Sequence, residues 1–529
     1  MGGKVARRVA KRAAPGIAGE LTISLFGPGM TVLHRVGLAG LWMTLKALED
    51  KNNGQPGFEG IDGVWERTDM SVTFRWNEDP QPFFKTLLER SFRIDSNGLI
   101  WFPALGEPMD NPQQSVILQE AMLGSFLQHG RTRKADPSQK PGGSISVEIN
   151  GATIPMRFHR VLRYAHQGVD FDSGGTNALA GWQFPGGAVR HTGLQGVTAL
   201  EEPPERALAL RFAAVGAVFF RISSRGSGVR PRYALVLPEV ENLRKYATAR
   251  RAFLSYGVQQ LYASGTAEAG FHVLAELRAA AIIESLRAAQ CRVVSFGTVP
   301  WSTQQKTRVN LMTVRARSER DLRTFRLCRQ VLSPTLVVRQ EREPFWDVPQ
   351  VPDLIARNLT EARPWWYGFA DFVADKERRE HVLRYEKGGL TKMVEDNEAF
   401  PQGPERLFVM ACHEAWRRRL AHIGEKARRE HSRFGDQVSR EFDKVRVNFA
   451  RCKNAATLRE AVTDFWARGG GPLKPLQEGW GEILPLLDDR NWQKARDLAL
   501  LALASYRPAT REEAEAIEGP DTSNEGGEQ

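Results

Sequence analysis

The apolar residues near the start of the chain follow two different periods in succession. Leu21–Phe26 places apolar side chains at alternate positions, which predicts a short strand. Over Met30–Asp50 apolar residues recur every three or four positions, which predicts an amphipathic helix. The Gly-Pro-Gly sequence at 27–29 separates the two elements, and the turn residues at 51–57 end the helix. We therefore expect a strand and a helix that anchor the first domain.

The same two periods continue through the first two thirds of the chain. Asn150-Gly151 stands between two alternating segments, 145–149 and 153–158, and predicts a β-hairpin because this dipeptide suits a tight two-residue turn. Further strands are predicted at 70–76, 99–102, 233–237, 292–299 and 306–315, and helices at 82–90, 113–128, 240–254, 271–289 and 319–332.

Beyond about residue 350 the alternating segments nearly vanish. Helices are predicted at 365–373, 404–421, 425–448, 456–467 and 491–505, a pattern typical of a bundle. The predicted fold class is therefore α+β, with a mixed α/β N-terminal body and a C-terminal α-helical bundle. The predicted domains are a disordered basic arm (1–20), the body with a glycine-rich loop (21–345), the bundle (350–507) and a disordered acidic tail (508–529).

The charge balance narrows the choice of partner. The 529 residues include 73 Lys and Arg against 62 Asp and Glu, a formal net charge of +11. Such a surplus favours nucleic acid or an anionic membrane, although a proteome that prefers arginine would give the same balance. No apolar run approaches the roughly 18 residues that a membrane helix needs. The four cysteines are widely spaced, as is typical of a reducing compartment, so we expect a cytoplasmic protein that contacts no membrane.

Three common catalytic or nucleotide-binding motifs are missing from the sequence. It contains no phosphate-binding P-loop and no Gly-x-Ser-x-Gly elbow. His413-Glu414 lacks the second histidine that a zinc-protease helix requires. We therefore expect no enzyme activity, no cofactor and no metal. An enzyme whose active site is assembled from residues distant in the sequence stays open as an alternative.

The predicted helices of the bundle concentrate positive charge. We predict that seven of their basic residues bind phosphates: Arg417, Arg418, Arg428, Arg429, Lys444, Arg451 and Lys453. A stripe along a phosphate backbone is predicted from the recurrence near one helical face of Arg418, Arg429, Arg433 and Arg440. The alternative is a solvated helix with i,i+4 ion pairs, such as Glu425 with Arg429.

Two loops of the body also offer groups that suit nucleic acid. The basic loop 131–140 follows a predicted helix and carries Arg131, Arg133, Lys134 and Lys140. The glycine-rich segment 168–190 allows a close backbone approach to a phosphate or base. It offers amides for base edges and one wedge side chain, namely Asn177, Gln183 and Trp182. The alternatives are a solvent-exposed linker and a surface loop that packs one tryptophan.

Two basic stretches of the body are further phosphate candidates. The first, over 221–232, contains Arg225, Arg230 and Arg232. The second, over 306–326, is the weaker candidate, because its arginines could line one solvated side of a helix.

Two sequence blocks resemble a known family. LTISLFGPGMTVLHRVGLAGLW, residues 21–42, resembles the start of the large subunits of type I CRISPR surveillance complexes (Cascade), in the Myxan-like branch related to types I-A and I-B. WQFPGGAVRH, residues 182–191, resembles a second block of that family. The order of a mixed body followed by helices is also similar, so the resemblance covers about Leu21 to Arg507.

The resemblance implies a DNA-binding and RNA-binding role in antiviral defence without catalysis. A crRNA would pair with target double-stranded DNA, while this subunit reads the protospacer-adjacent motif, aids duplex opening and stabilises the R-loop within a ribonucleoprotein complex. The implied partners are backbone and other Cascade subunits, and a helicase-nuclease recruited after R-loop formation. A small subunit from an internal start at Met393 or Met410 is a further hypothesis. The alternative within the family is a CRISPR-associated transposon complex that recruits a transposition protein and directs RNA-guided DNA integration.

Overall fold

Contacts within the chain divide it into two compact units. The computed structural model describes residues 18–128, 132–135, 142–149, 151–168, 171–179, 201–222, 232–279, 289–301, 304–339, 342–430 and 433–507. Unit 1 comprises 1–315 and 335–347, and unit 2 comprises 316–334 and 348–529. The helix predicted at 319–332, which the sequence placed with the α/β body, therefore lies in the helical unit.

Unit 1 combines strands and helices. Its described helices are α1 (Val32–Lys51), α2 (Gln81–Ser91), α3 (Pro112–Gly124), α4 (Pro204–Arg211), α5 (Ala213–Gly216), α6 (Leu243–Ala252) and α7 (Thr266–Ala279). Its described strands are β1 (Gly19–Ser24), β2 (Gly57–Phe58), β3 (Ile61–Arg67), β4 (Ser71–Trp76), β5 (Arg93–Ile94), β6 (Ile100–Trp101), β7 (Arg133–Ala135), β8 (Gly143–Ile149), β9 (Ala152–Phe158), β10 (Val161–Tyr164), β11 (Asn177–Ala178), β12 (Glu201–Glu202), β13 (Val218–Ile222), β14 (Arg232–Pro238), β15 (Tyr262–Ala263), β16 (Gln290–Trp301), β17 (Gln304–Arg315), β18 (Thr335–Arg339) and β19 (Arg342–Asp347).

Two sheets and several hairpins organise these strands. An antiparallel sheet has the order β1-β4-β3-β2, so the predicted first strand lies at a sheet edge. A five-stranded sheet has the order β15-β13-β14-β16-β17, in which only the β13–β15 pair is parallel. The predicted hairpin forms from β8 and β9, with Ile149 opposite Ala152. Gly151 in its turn has a φ of 77°, the left-handed region that glycine adopts without strain.

Helix α1 is the central helix of unit 1, and most of its residues are buried. It packs against α4 and α5 at very short range because glycines face their backbone. A Cβ atom at Gly37 would lie 2.0 Å from the Ala209 oxygen, and one at Gly40 would lie 2.3 Å from the Phe212 oxygen. The opening block of the sequence therefore contributes core packing.

Unit 2 is helical throughout its described part. Its helices are α8 (Glu319–Val331), α9 (Val351–Thr360), α10 (Phe369–Phe372), α11 (Lys376–His381), α12 (Lys387–Glu395), α13 (Pro404–Arg429), α14 (Phe434–Arg451), α15 (Ala455–Ala467), α16 (Lys474–Ile483) and α17 (Trp492–Ser505). Aromatic side chains fill its core: the Trp416 ring lies 6.3 Å from that of Phe465, which in turn lies 5.4 Å from Phe449. The predicted α+β class, with a mixed N-terminal part and a helical C-terminal part, is confirmed.

Three predicted helices differ from the structure. The helix predicted at 365–373 is wrong except for the four residues of α10, because Gly368 adopts a left-handed φ of 73° that interrupts it. The break predicted after residue 421 is also wrong, since α13 continues to Arg429. The helix predicted at 425–448 is divided between the end of α13 and α14. Ile423 and Ala427 are buried, so the apolar face passes Gly424 without interruption. Within the described residues, no helix has the length and apolar character of a membrane span.

Candidate nucleic-acid interface

Helix α14 packs against the rest of unit 2 through one apolar face, and this packing leaves its opposite face exposed to solvent. Val445 and Phe449 are buried, and the Phe442 ring lies 6.0 Å from that of Trp416 on α13. These positions recur at helical spacing, so α14 packs along one side only. Side chains on the opposite side point to solvent.

Four basic residues form a line on that solvent side. We name Arg433, Arg440, Lys444 and Arg451 the α14 stripe; all four are exposed. Their successive spacings of seven, four and seven residues keep them within about 40° of one another around the helix axis. The stripe runs for about 27 Å at 1.5 Å per residue. It forms a single cationic edge on the face away from the core.

The acidic residues of this region do not neutralise the α14 stripe. Glu441 pairs with Arg419 at 3.0 Å, and Asp443 pairs with Arg446 at 3.3 Å. Within the described ranges, the ion pairs of α13 and α14 involve none of the four stripe residues. Four like charges along one helix face repel one another, so the arrangement favours a bound polyanion.

The predicted phosphate ligands on helix α13 are of two kinds, exposed arginines and one arginine that is bonded within the protein. Arg417, Arg428 and Arg429 are exposed. Arg418 instead forms an ion pair with Glu414 and donates to the carbonyl oxygens of Gly470 at 2.7 Å and Pro472 at 2.9 Å. These bonds attach α13 to the segment that precedes α16, and they favour a structural role for Arg418.

The stripe predicted from Arg418, Arg429, Arg433 and Arg440 is therefore wrong as a single face. The first two lie on α13 and the last two at or within α14, separated by the end of α13 at Arg429. The alternative prediction of i,i+4 ion pairs holds for part of the surface, as Lys426 with Glu430 at 3.7 Å shows. The line of exposed charges on α14 instead includes Lys444 and Arg451, which were predicted as separate phosphate ligands. Lys453, which follows α14, is also exposed.

The basic loop of unit 1 contributes a second cationic point. Lys134 on β7 is exposed and lies in register with exposed Arg163 on β10. Like charges directly opposite each other on paired strands are destabilising, so a bound anion would relieve this pair. Sequence reasoning missed Arg163, because no local signal indicates which distant strand pairs with β7. Arg133 is half-buried and donates to the Leu123 oxygen at 3.1 Å; burial lowers its pKa.

The remaining predicted residues of unit 1 have different surroundings. Asn177 is buried; its amide oxygen accepts from the Asp172 amide at 2.9 Å, and its amide nitrogen donates to the Asp172 oxygen at 2.8 Å. This geometry favours a loop-closing role for Asn177. Arg232 is the exposed first residue of β14. Six predicted residues lie outside the described residues: Arg131, Lys140, Trp182, Gln183, Arg225 and Arg230.

Three buried titratable groups are poorly suited to nucleophilic or acid–base catalysis near neutral pH. Burial raises the pKa of the Cys412 thiol to about 12 and that of Cys291 further, so both stay protonated. Burial lowers the pKa of His413 to about 4, and its Nε2 donates to the Ala502 oxygen at 3.0 Å. Among the described residues, no group of three or more His, Cys, Asp or Glu is arranged to hold a metal ion.

Comparison with known proteins agrees with the two-unit arrangement. Residues 22–211 match the family model of the DevT N-terminal domain, and residues 396–528 match that of the DevT C-terminal domain. The two matched ranges together take in more than half of the chain. The chain is also 27% identical over 545 residues to the CRISPR-associated protein Cas8a1/Csx13 of Myxococcus xanthus, covering 96% of this chain and 91% of that protein.

The fold is that of an α+β protein, and helix α14 carries a line of exposed basic residues. The matches to both DevT domains and to a CRISPR-associated relative over nearly the full length identify its class. The chain belongs to the Myxan-like branch of Cascade large-subunit-like proteins, as its opening block predicts.

Proposed function

We propose that this chain is a non-catalytic subunit of a type I RNA-guided surveillance complex and binds the DNA strands of an R-loop. The α14 stripe carries the proposal, because it is a solvent-facing line of charge that no carboxylate of the described residues neutralises. Its length of about 27 Å corresponds to roughly eight nucleotides at the 3.4 Å spacing of a DNA strand. A displaced single strand therefore fits along it.

The recognition of target DNA is proposed to divide between the guide and the protein. Base pairing with a crRNA supplies most of the sequence specificity, and the protein reads a short motif beside the target. Lys134 and Arg163 of unit 1 form a cross-strand cationic pair that suits the phosphates of that flanking duplex. Trp182 and Gln183 stay predictions for duplex opening and base reading. Other complex subunits hold the crRNA.

An R-loop footprint tests this proposal. The stripe variant carries Arg433→Gln, Arg440→Gln, Lys444→Gln and Arg451→Gln. The control variant removes the same charge at four exposed positions of unit 2 outside α13–α15: Lys376→Gln, Lys392→Gln, Lys474→Gln and Arg490→Gln. Each is assembled with crRNA and its partner subunits, and the displaced strand is probed with a reagent specific for unpaired thymines.

We expect the stripe variant to assemble with crRNA normally and to leave the displaced strand more reactive than the control variant does. The physical reason is the loss of local phosphate contacts, since both variants have the same net charge. Equal reactivity of the displaced strand in both variants would show that α14 is not on its path.

A further inference from the structure

Unit 2 contains a pocket of about 600 Å³ that is separate from the α14 stripe. It is lined by the start of α8, the segment between α9 and α10, and the residues that lead into α13. This volume lies within the roughly 300–1,000 Å³ range of small-molecule sites.

Two arginines at the start of α8 give the pocket a cationic edge. Nε of Arg317 donates to the Thr360 oxygen at 3.2 Å, and Nε of Arg320 donates to the Glu398 oxygen at 2.9 Å. Each guanidinium is thereby anchored through one nitrogen, and in the described part of the chain neither forms an ion pair. A guanidinium held in this way presents its terminal nitrogens as a fixed fork, which suits the oxygens of a phosphate.

The other charged groups of the lining are less available to an anion. Arg363 pairs with Glu361 at 2.8 Å and stacks on the Tyr367 ring. The Asp321 carboxylate accepts from the backbone amides of Arg317 and Ser318 at 3.0 and 2.9 Å, so it closes the start of α8. Glu405 adds one more negative charge to the lining. An anionic group is therefore best placed at Arg317 and Arg320.

The rest of the lining includes buried aromatic side chains and more accessible prolines. Trp365 and Trp366 contribute to the wall, and Trp365 is fixed by donating from Nε1 to the Ala399 oxygen at 3.1 Å. Phe400 lies against Trp365, with ring centroids 6.1 Å apart. These three aromatic side chains are only 2–3% exposed. The apolar surface that a ligand can reach is therefore that of Pro364, Pro401 and Pro404.

We propose that this pocket binds a phosphorylated nucleoside, with its phosphate on Arg317 and Arg320 and its base against the apolar surface of Pro364, Pro401 and Pro404. The combination of anchored guanidinium groups, an adjoining apolar surface and a nucleotide-sized volume carries the proposal. The same chemistry is presented by a free nucleotide and by the phosphorylated end of a strand. The site goes beyond the R-loop role and does not use the α14 stripe.

Titration of the full-length chain with small probes tests the pocket. Tryptophan fluorescence or calorimetry is followed during addition of AMP, UMP, adenosine, uridine and inorganic phosphate. We expect saturable binding of the two monophosphates and at least about tenfold weaker binding of the nucleosides, since charge-assisted bonds are lost. The double variant Arg317→Gln, Arg320→Gln should lose at least about tenfold in monophosphate affinity. The matched control is Arg323→Gln, an exposed α8 arginine outside the lining that pairs with Glu398 at 3.3 Å.

A pair of oligonucleotides distinguishes the two sources of the ligand. Preference for a 5′-phosphorylated over a 5′-hydroxyl strand, lost in the double variant, identifies a strand end; monophosphate binding without that preference identifies a free nucleotide. No saturable monophosphate binding at millimolar concentration, or equal affinity in the double variant and the control, would overturn the proposal. The stripe variant should retain monophosphate binding, so failure of the pocket and failure of the R-loop role give different results.

Discussion

Removal of the α14 stripe should change how strongly single-stranded DNA binding depends on salt. The perturbation is the stripe variant, which replaces Arg433, Arg440, Lys444 and Arg451 with glutamine. All four side chains are exposed, and in the described part of the structure none is paired with a carboxylate. Glutamine keeps the helix propensity and most of the side-chain length, so α14 should fold unchanged.

The magnitude follows from counting contacts. If each stripe residue neutralises one phosphate, each contributes about −0.7 to the slope of log K against log salt concentration for a single strand. Four contacts contribute about −2.8, which corresponds to a roughly 50-fold loss of affinity between 50 and 200 mM salt. The stripe variant should lack this part of the salt dependence.

Fluorescence anisotropy with a labelled oligonucleotide longer than the stripe measures both slopes. The control variant, with the same loss of net charge outside α13–α15, should keep a slope close to that of the unmodified chain. Matching circular dichroism spectra establish that each variant is folded. A slope change of less than about one, or one equal to that of the control variant, would refute the reasoning because the stripe would then contact at most one phosphate.

Four further changes test other parts of the structure. Arg418→Ala removes the ion pair with Glu414 and two bonds to carbonyl oxygens, so urea unfolding should show a loss of about 1–3 kcal/mol with an unchanged salt slope; a changed slope at full stability would contradict the structural role. Gly40→Ala places a Cβ 2.3 Å from the Phe212 oxygen, and overpacking should cost about 1–3 kcal/mol; an unchanged Tm would argue against the close packing of α1. The pKa of His413 is lowered to about 4 by burial, so stability should fall as pH drops from about 6.5 towards 4, and His413→Gln should flatten this dependence in urea titrations at several pH values. Burial also lowers the pKa of His34 to about 4 and that of His166 to about 3, which acts in the same direction, whereas it raises the pKa of Asp497 to about 6, which acts in the opposite direction. These groups remain in H413Q, so the variant should lose only the part due to His413; a profile as steep as the original would exclude a contribution from His413. Lys134→Glu places opposite charges in register with Arg163, so stability should rise by up to about 1 kcal/mol while duplex affinity falls; unchanged affinity would remove this pair from the interface.

The sequence predicted those helices and strands whose own residues show a clear apolar period or a turn motif. Helix α1 and the β8–β9 hairpin follow directly from apolar periodicity and from Asn150-Gly151. The short strands β2 and β5 each contain only two residues, and such pairs depend on distant partners rather than on a recognisable period. The opening block carried family identity, and the structure adds that its glycines allow backbone contact with α4 and α5.

The candidate interface was predictable in composition but not in arrangement. The abundance of arginine is evident in the sequence. The α14 stripe is not, because a break between two helices changes which later residues share one helix face, and the end of α13 was not known. The Arg418 guanidinium donates hydrogen bonds to carbonyl oxygens 52 and 54 residues further along the chain, a contact that no local pattern shows. Arg163 pairs in register with Lys134 across separate strands, a relation that no short-range pattern contains.

The most direct test of the central claim is the identity of the nucleic acid that the chain carries in the cell. The tagged full-length chain is purified from the organism that encodes it, and its bound RNA and protein partners are sequenced and identified. We expect repeat-derived guide RNA together with a multi-copy backbone subunit, from both the unmodified chain and the stripe variant. Recovery of the chain without repeat-derived RNA and without other complex subunits would contradict it.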